Sequence, residues 1–377
     1  MPHEIAFQNI PVGYSTSSAR EGETVRAVCQ EFTSSEDGGL FISRLEGLPR
    51  DIISRIPGAS YTLESTVDHL LAIIRPDKTA TVYLNDLDYS LLVRAKGAVS
   101  KGAPVTLDQI LDVTRIKLNG LVVPPEAGLV VILSAGWRKG LFFDLTPLTP
   151  GGTPRPFDVE ATLGHYYAYL NFQHLFSMVE ATWDTFTQQG WFPFIHLRQS
   201  TIRQMIAFAQ ARFAIDEQLD EIVKDAAEAV GARVDGWKTH PILASHHEFI
   251  AAAYRKFVEG DYLSATAILF PRIEGVLRTH HFGDTTAPAA TQGNLITSSI
   301  DRAELPPHGN SLLLPERFRR YLRDVYFAGF DPRNPRGLSR HTVSHGVAPI
   351  EHFNRKGAVI GFLILLQIVA LLPARRP

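Results

Sequence analysis

The stretch "HHEFIAAAYRKFVEGDYLSATAILFPRIEGVLRTHHFGD", residues 246–284, decides how the C-terminal part of the chain folds. Ile250, Ala253, Tyr254, Phe257 and Val258 recur at the spacing of a helix that buries one face. Gly260 then stands where a helix ends, since glycine takes the left-handed conformation without steric cost. Asp261 can cap a second helix by accepting from its free N–H groups. That helix carries Tyr262, Ala265, Ile268, Leu269, Ile273, Val276 and Leu277 on its apolar face. So tight a connection predicts an antiparallel helix pair. Pro271 lacks an N–H and crowds the preceding turn, so it is expected to kink or divide the second helix.

Working outward, "VEATLGHYYAYLNFQHLFSMVEATWDTF", "TIRQMIAFAQARFA" and "DEQLDEIVKDAAEAVGA" continue the helical spacing through 157–240. Downstream, 283–311 is rich in Thr, Ala, Pro, Gly and Ser and reads as a long loop, and "PERFRRYLRDVYF" at 315–327 reads as a helix. The run "AVIGFLILLQIVALL", 358–372, is apolar on every side apart from Gln367. It is shorter than the roughly 20 residues needed to span a bilayer, so it reads as a buried closing helix. Each Leu or Ile buried there contributes about 1.5–3 kcal/mol.

The first 150 residues differ. "TATVYLND", "YSLLVRAKG", "RIKLNGLVV", "GLVVILSAG" and "GLFFDLTPL" are short, β-branched or aromatic, and bounded by Gly, Asn or Pro, as strands are. "TVDHLLAIIRP" and "PVTLDQILDVTR" read as short helices between them, and "TPLTPGGTPRP" at 146–156 marks a boundary. The expected fold is α+β. A β-rich mixed domain at 1–150 precedes a helical connecting region at 157–240, and further helices occupy 241–377.

The chain has 377 residues, 45% hydrophobic and 20% charged, with a net charge of −2, so no bulk positive field marks a nucleic-acid binder. Any RNA contact needs a local basic patch. Cys29 is the lone cysteine, which excludes an internal disulfide and a Cys-rich zinc site. The N-terminus lacks the charged and apolar regions of a secretory signal, and a reducing cytoplasm is the expected setting.

The stretch "RGLSRHTVSHGVAP", 336–349, concentrates the reactive groups. Three readings of Arg340, His341 and His345 stay open. They can be ordinary basic groups at a helix end, with Gly346 closing the helix. His341 and His345, at i and i+4, can hold a metal, with His352 or Glu351 as a third ligand, although Thr342 stands where a metalloprotease helix has its glutamate. Or they can cleave RNA without a metal. Histidine moves protons near neutral pH, and a permanently charged arginine forks onto phosphate oxygens. On an ideal helix Arg340 and His345 lie about 140° apart, which two protomers sharing a cleft would tolerate.

"RHTVSH", 340–345, resembles the R-x4-H motif of the HEPN superfamily, with a polar residue directly after the arginine. "YRKFVEGDYLSATAILFPRIEGVLR" at 254–278 is similar to the first helix pair of such domains, and "NRKGAVIGFLILLQIVALL" at 354–372 to their closing helix. The resemblance covers the last third of the chain. It implies that 241–377 form a dimeric four- to five-helix bundle acting as a metal-independent endoribonuclease that leaves a cyclic phosphate and needs no cofactor. Toxins and phage-defence proteins carry such domains. It further implies that Arg340 polarises the phosphate, His345 transfers protons and His341 orients the substrate. Glu274 faces the motif in that scheme, and an i, i+4 pair with Arg278 is its simpler role. Some HEPN domains only dimerise or bind nucleotide.

Between 301 and 340 lie eight arginines, no lysine and five acids. Arg320, Arg323 and Arg336 are candidate RNA contacts, with Glu316 and Asp324 as alternative partners for the helix pair. The tryptophans, at 137, 183, 191 and 237, read as core or interface residues.

Overall fold

The computed structural model describes residues 2–58, 66–284, 286–301, 309–331, 333–334 and 337–372. The chain is α+β, an antiparallel sheet region followed by a helical region. Its compact units are 1–93 with 113–173, and 94–112 with 174–377.

The first unit is built on a six-stranded antiparallel sheet. Its strands are β1 (His3–Ala6), β4 (Gln30–Ser34), β5 (Leu70–Ile74), β6 (Thr79–Leu84), β9 (Gly128–Ala135) and β10 (Arg138–Asp144), ordered β1-β6-β5-β9-β10-β4. Two ribbons accompany it: β2 (Tyr14–Ser15) with β3 (Ala27–Val28), and β7 (Tyr89–Ala95) with β8 (Ile110–Leu118). One sheet face packs Leu70, Ala72, Ile74, Val130 and Ile132 against helices α1 (Gly39–Leu45) and α2 (Leu48–Ser54). The other packs Leu71, Ile73, Leu129, Val131 and Phe142 against β8 and helix α3 (Val159–Asn171).

That double burial explains two corrections. The stretch "LLAII" is strand β5, not a helix, because an interior strand covered on both faces is apolar throughout and shows no alternation. "PVTLDQILDVTR" is a short 3-10 turn at Leu107–Gln109 leading into β8, whose Ile116 and Leu118 join the second core. The 146–156 stretch is pinned rather than free. Arg155 and Asp144, each about 1% exposed in their side chains, pair at 2.5 Å, and Arg155 also donates to the Ala127 carbonyl at 2.7 Å. The compact unit therefore continues past this stretch to take in α3.

The second unit is helical: α4 (Gln173–Phe176, at its border), α5 (Glu180–Gln188), α6 (Gln199–Ala211), α7 (Leu219–Gly231), α8 (His247–Val258), α9 (Tyr262–Phe282), α10 (Gln292–Asp301), α11 (Pro315–Tyr321), α12 (Arg340–Ser344) and α13 (Arg355–Leu371). Helix α9 is the hub, packing against α8, α10, α12 and α13. Gly260 takes φ +81° between α8 and α9, and Asp261 accepts from the Ser264 N–H at 3.1 Å as the cap of α9. Pro271 does not divide α9, which runs unbroken from 262 to 282. Leu269, Phe270 and Ile273 are buried around it, and at about 1.5–3 kcal/mol each they exceed the roughly 3 kcal/mol cost of an internal proline.

The expected loop at 283–311 contains α10. Leu295, Ile296 and Ile300 are buried, and the buried Ser298 and Ser299 hydroxyls donate to carbonyls three residues back. Serines and threonines masked this helix, because such hydroxyls usually favour loops and satisfy themselves here on the helix backbone. Helix α13 is buried along nearly its whole length, and Gly361 lets it approach α9, since a Cβ there would lie 2.9 Å from Leu269. No helix among the described residues is long and apolar enough to cross a membrane.

Candidate active site

Ser339 caps α12 by accepting from the Thr342 N–H at 3.2 Å, and the Thr342 hydroxyl accepts from the Ser339 N–H at 2.9 Å. The helix lasts five residues. His345 is its C-cap, and Gly346 at φ +68° turns the chain away, with Val347 N–H bonded to the Thr342 carbonyl at 3.0 Å and Gly346 N–H to that of Val343 at 3.1 Å. This left-handed closure requires glycine. Arg340 therefore sits at the first helical position and His345 just past the last.

Arg340 is held from below. Its Nε forms an ion pair with a carboxylate oxygen of Glu274, a side chain on α9 that is only 6% exposed. The other Glu274 oxygen takes Arg278 at 2.7 Å. Both expected roles of Glu274, facing the motif and pairing at i, i+4, are thus present. Arg340 Nη1 lies 3.4 Å from Nδ1 of His341.

His341 is half-buried. Its Nε2 is bonded by the Gln292 side-chain amide from α10, and its ring lies 6.2 Å from that of His345, the planes 22° apart. Phe327 flanks His341 and Phe330 flanks His345, at 6.4 and 5.7 Å between ring centres. Burial and the neighbouring Arg340 charge lower the His341 pKa from the ordinary histidine value, which favours the uncharged imidazole. His345 is exposed. The sequence spacing gave no sign of Gln292, which lies on a helix that reads as a loop. Phe327 and Phe330 follow a π-helical turn, Leu322–Tyr326, whose Tyr326 hydroxyl donates to the Phe270 carbonyl at 2.7 Å.

The arrangement offers one partly exposed cation, one half-buried imidazole held by an amide, and one exposed imidazole, in a connected row. No group of three His, Cys, Asp or Glu side chains placed to hold a metal occurs among the described residues, so neither His352 nor Glu351 completes a set with the two histidines. A cavity of about 810 Å3 adjoins the start of α12. It is lined by Gly337, Leu338, Ser339, Tyr326 and His352 among others, but not by the three motif side chains.

The other basic candidates are placed apart from this row. Arg320 pairs with Glu180, Asp184 and Asp324 at 3.4–3.5 Å, and Arg323 with Asp324 at 2.7 Å. Arg336 lies outside the described residues. Trp183, Trp191 and Trp237 are buried, whereas Trp137 is 71% exposed.

Comparison with protein-family models, with curated proteins and with solved structures finds no match to this chain.

Proposed function

We propose that the C-terminal helical region is a metal-independent endoribonuclease of HEPN type, acting as a homodimer on RNA. The observation that supports it is the connected row of Arg340, His341 and His345, with the arginine oriented by a buried carboxylate and the last imidazole open to solvent. In this reading the Arg340 guanidinium binds a non-bridging phosphate oxygen. His345 removes the 2′-hydroxyl proton, the oxygen attacks the adjacent phosphorus, and the 5′-oxygen leaves, giving a 2′,3′-cyclic phosphate. The second protomer's motif supplies the proton to the leaving group. His341 orients the substrate.

The test is incubation of the purified chain with total RNA in EDTA, followed by end analysis. Wild type should produce cyclic-phosphate ends, and Arg340→Ala and His345→Ala should each lose at least a hundredfold in rate, His345→Ala while melting as wild type does and Arg340→Ala while remaining folded at the assay temperature. General acid–base catalysis alone contributes roughly 10²–10⁴-fold. Full activity in either variant, or activity only with added divalent ions, would overturn the reading.

A second reading, a HEPN-like module that only dimerises or binds nucleotide, rests on the compensation of the Arg340 charge by Glu274. It predicts no cleavage by wild type under the same conditions.

A further inference from the structure

A second cavity, of about 310 Å3, lies in the helical unit between residues 96–99, the start of α6 and one face of α7. Four basic side chains line it, Lys96, His196, Arg198 and Arg233, of which Arg198 is paired with acids. Lys96 Nζ donates to the Leu197 carbonyl at 3.2 Å. Arg233 donates to the carbonyls of Ala229 and Lys96. Neither cation has a carboxylate in hydrogen-bonding contact among the described residues. His196 Nδ1 is sealed from solvent without a hydrogen-bond partner. Burial and the charges of Arg233 and Lys96 push this imidazole well below the ordinary histidine value, and burial brings Lys96 down to about 8.

The acids nearby are already committed. Asp108 accepts from the Gln199 N–H at 2.6 Å, and Asp225 from the Arg198 N–H at 3.0 Å and the Thr201 hydroxyl at 2.7 Å, so both cap α6. Asp225 and Glu228 hold the Arg198 guanidinium at 3.3 and 2.6 Å. These carboxylates soften the field but leave Lys96 and Arg233 with carbonyl partners alone. Lys96 and Arg233 are half-buried, and a cation partly removed from water without a contacting anion is costly. The walls are small: Gly97, Ala98, Ala229 and Ala232 keep the space open.

We infer that this cavity binds the phosphate group of a small phosphomonoester, with Lys96 and Arg233 as its charge partners and His196 as a hydrogen-bonding wall. Such a group carries about −1.5 to −2 charges at neutral pH, which matches two cations. The volume lies at the lower end of small-ligand sites, about 300–1,000 Å3. It holds a phosphate with a sugar and excludes a folded RNA. The site is independent of the Arg340 row, so its failure leaves the nuclease reading untouched.

Calorimetric titration of the full chain at pH 7 should show saturable, one-to-one binding of ribose 5-phosphate and adenosine 5′-monophosphate, and none of adenosine. Lys96→Gln should weaken binding at least tenfold. Ala98→Glu, at an exposed wall position where folding is not at risk, should do the same by repulsion. Because Lys96 titrates near 8 in the empty site, ligand binding at pH 8.5 should take up a proton. The binding enthalpy should then vary with the ionisation enthalpy of the buffer in wild type and not in Lys96→Gln. No saturable binding of either monoester, or unchanged affinity in both variants, would overturn the proposal. Equal affinity for inorganic phosphate would overturn the monoester assignment.

Discussion

Glu274 carries two arginines from inside the helical core: Arg278 one turn along its own helix, and Arg340 from α12. The two are not equivalent. Arg278 is 45% exposed, so its pair contributes little, whereas Arg340 is 24% exposed and its Nε has no other partner. Glu274→Gln should therefore leave the Arg340 charge partly buried and uncompensated. We expect a loss of about 1–3 kcal/mol, below the 3–5 of a fully buried pair because water still reaches the arginine. Arg278→Ala should cost under about 1 kcal/mol. Urea unfolding of both variants checks this, and equal costs would show that Glu274 serves its own helix alone. At this scale the sequence was legible where chemistry is carried by spacing: Arg340, His341 and His345 do form one row. It was silent on Gln292, because a glutamine 49 residues upstream declares no partner until both helices pack on α9.

Among the elements, α13 shows how a single polar residue in an apolar run can be decisive. Gln367 is fully buried, its Oε1 accepting from the Ile195 N–H and its Nε2 donating to the Leu313 carbonyl, both at 2.9 Å. These two backbone groups lie in loops, where no helix or sheet satisfies them. Gln367→Leu matches the residue's surroundings in polarity yet strands both groups, at about 1–3 kcal/mol each. The net expectation, after the gain from an added apolar side chain, is a destabilisation of about 2–4 kcal/mol, against less than about 1.5 for Leu366→Met on the same helix. Stability unchanged or raised in Gln367→Leu would make the amide incidental. Elements with one buried face, such as the α8–α9 pair, were readable from periodicity. Strand β5 was not, because burial on both faces erases the period of two, and α10 was not, because its hydroxyls bond its own backbone.

For the whole molecule, composition set the class of fold but not the division of the chain. The Pro- and Gly-rich stretch at 146–156 looks like a linker, yet a buried Arg155–Asp144 pair fastens it within the first unit. Charge distribution is similarly deceptive. The cluster of arginines after residue 301 reads as a phosphate-binding surface, but Arg317, Arg319, Arg320 and Arg323 all face acids. With these four arginines so paired, the helix that carries them offers RNA few unneutralised cations. Counterion release scales with the number of phosphates neutralised, at about −0.7 per phosphate for single strands. If the Arg340 rows of two protomers supply the contacts, about two phosphates are engaged, and the slope of log affinity against log salt should be near −1.4. Arg320→Ala and Arg323→Ala should change the cleavage rate by less than about threefold, since exposed arginines already paired with acids contribute little. Binding measured by fluorescence anisotropy between 50 and 300 mM salt decides the matter. A slope steeper than about −4, together with loss of binding in the Arg320 variant, would mean that RNA displaces the acids and that the arginine-rich helix, rather than the row at Arg340, carries the affinity.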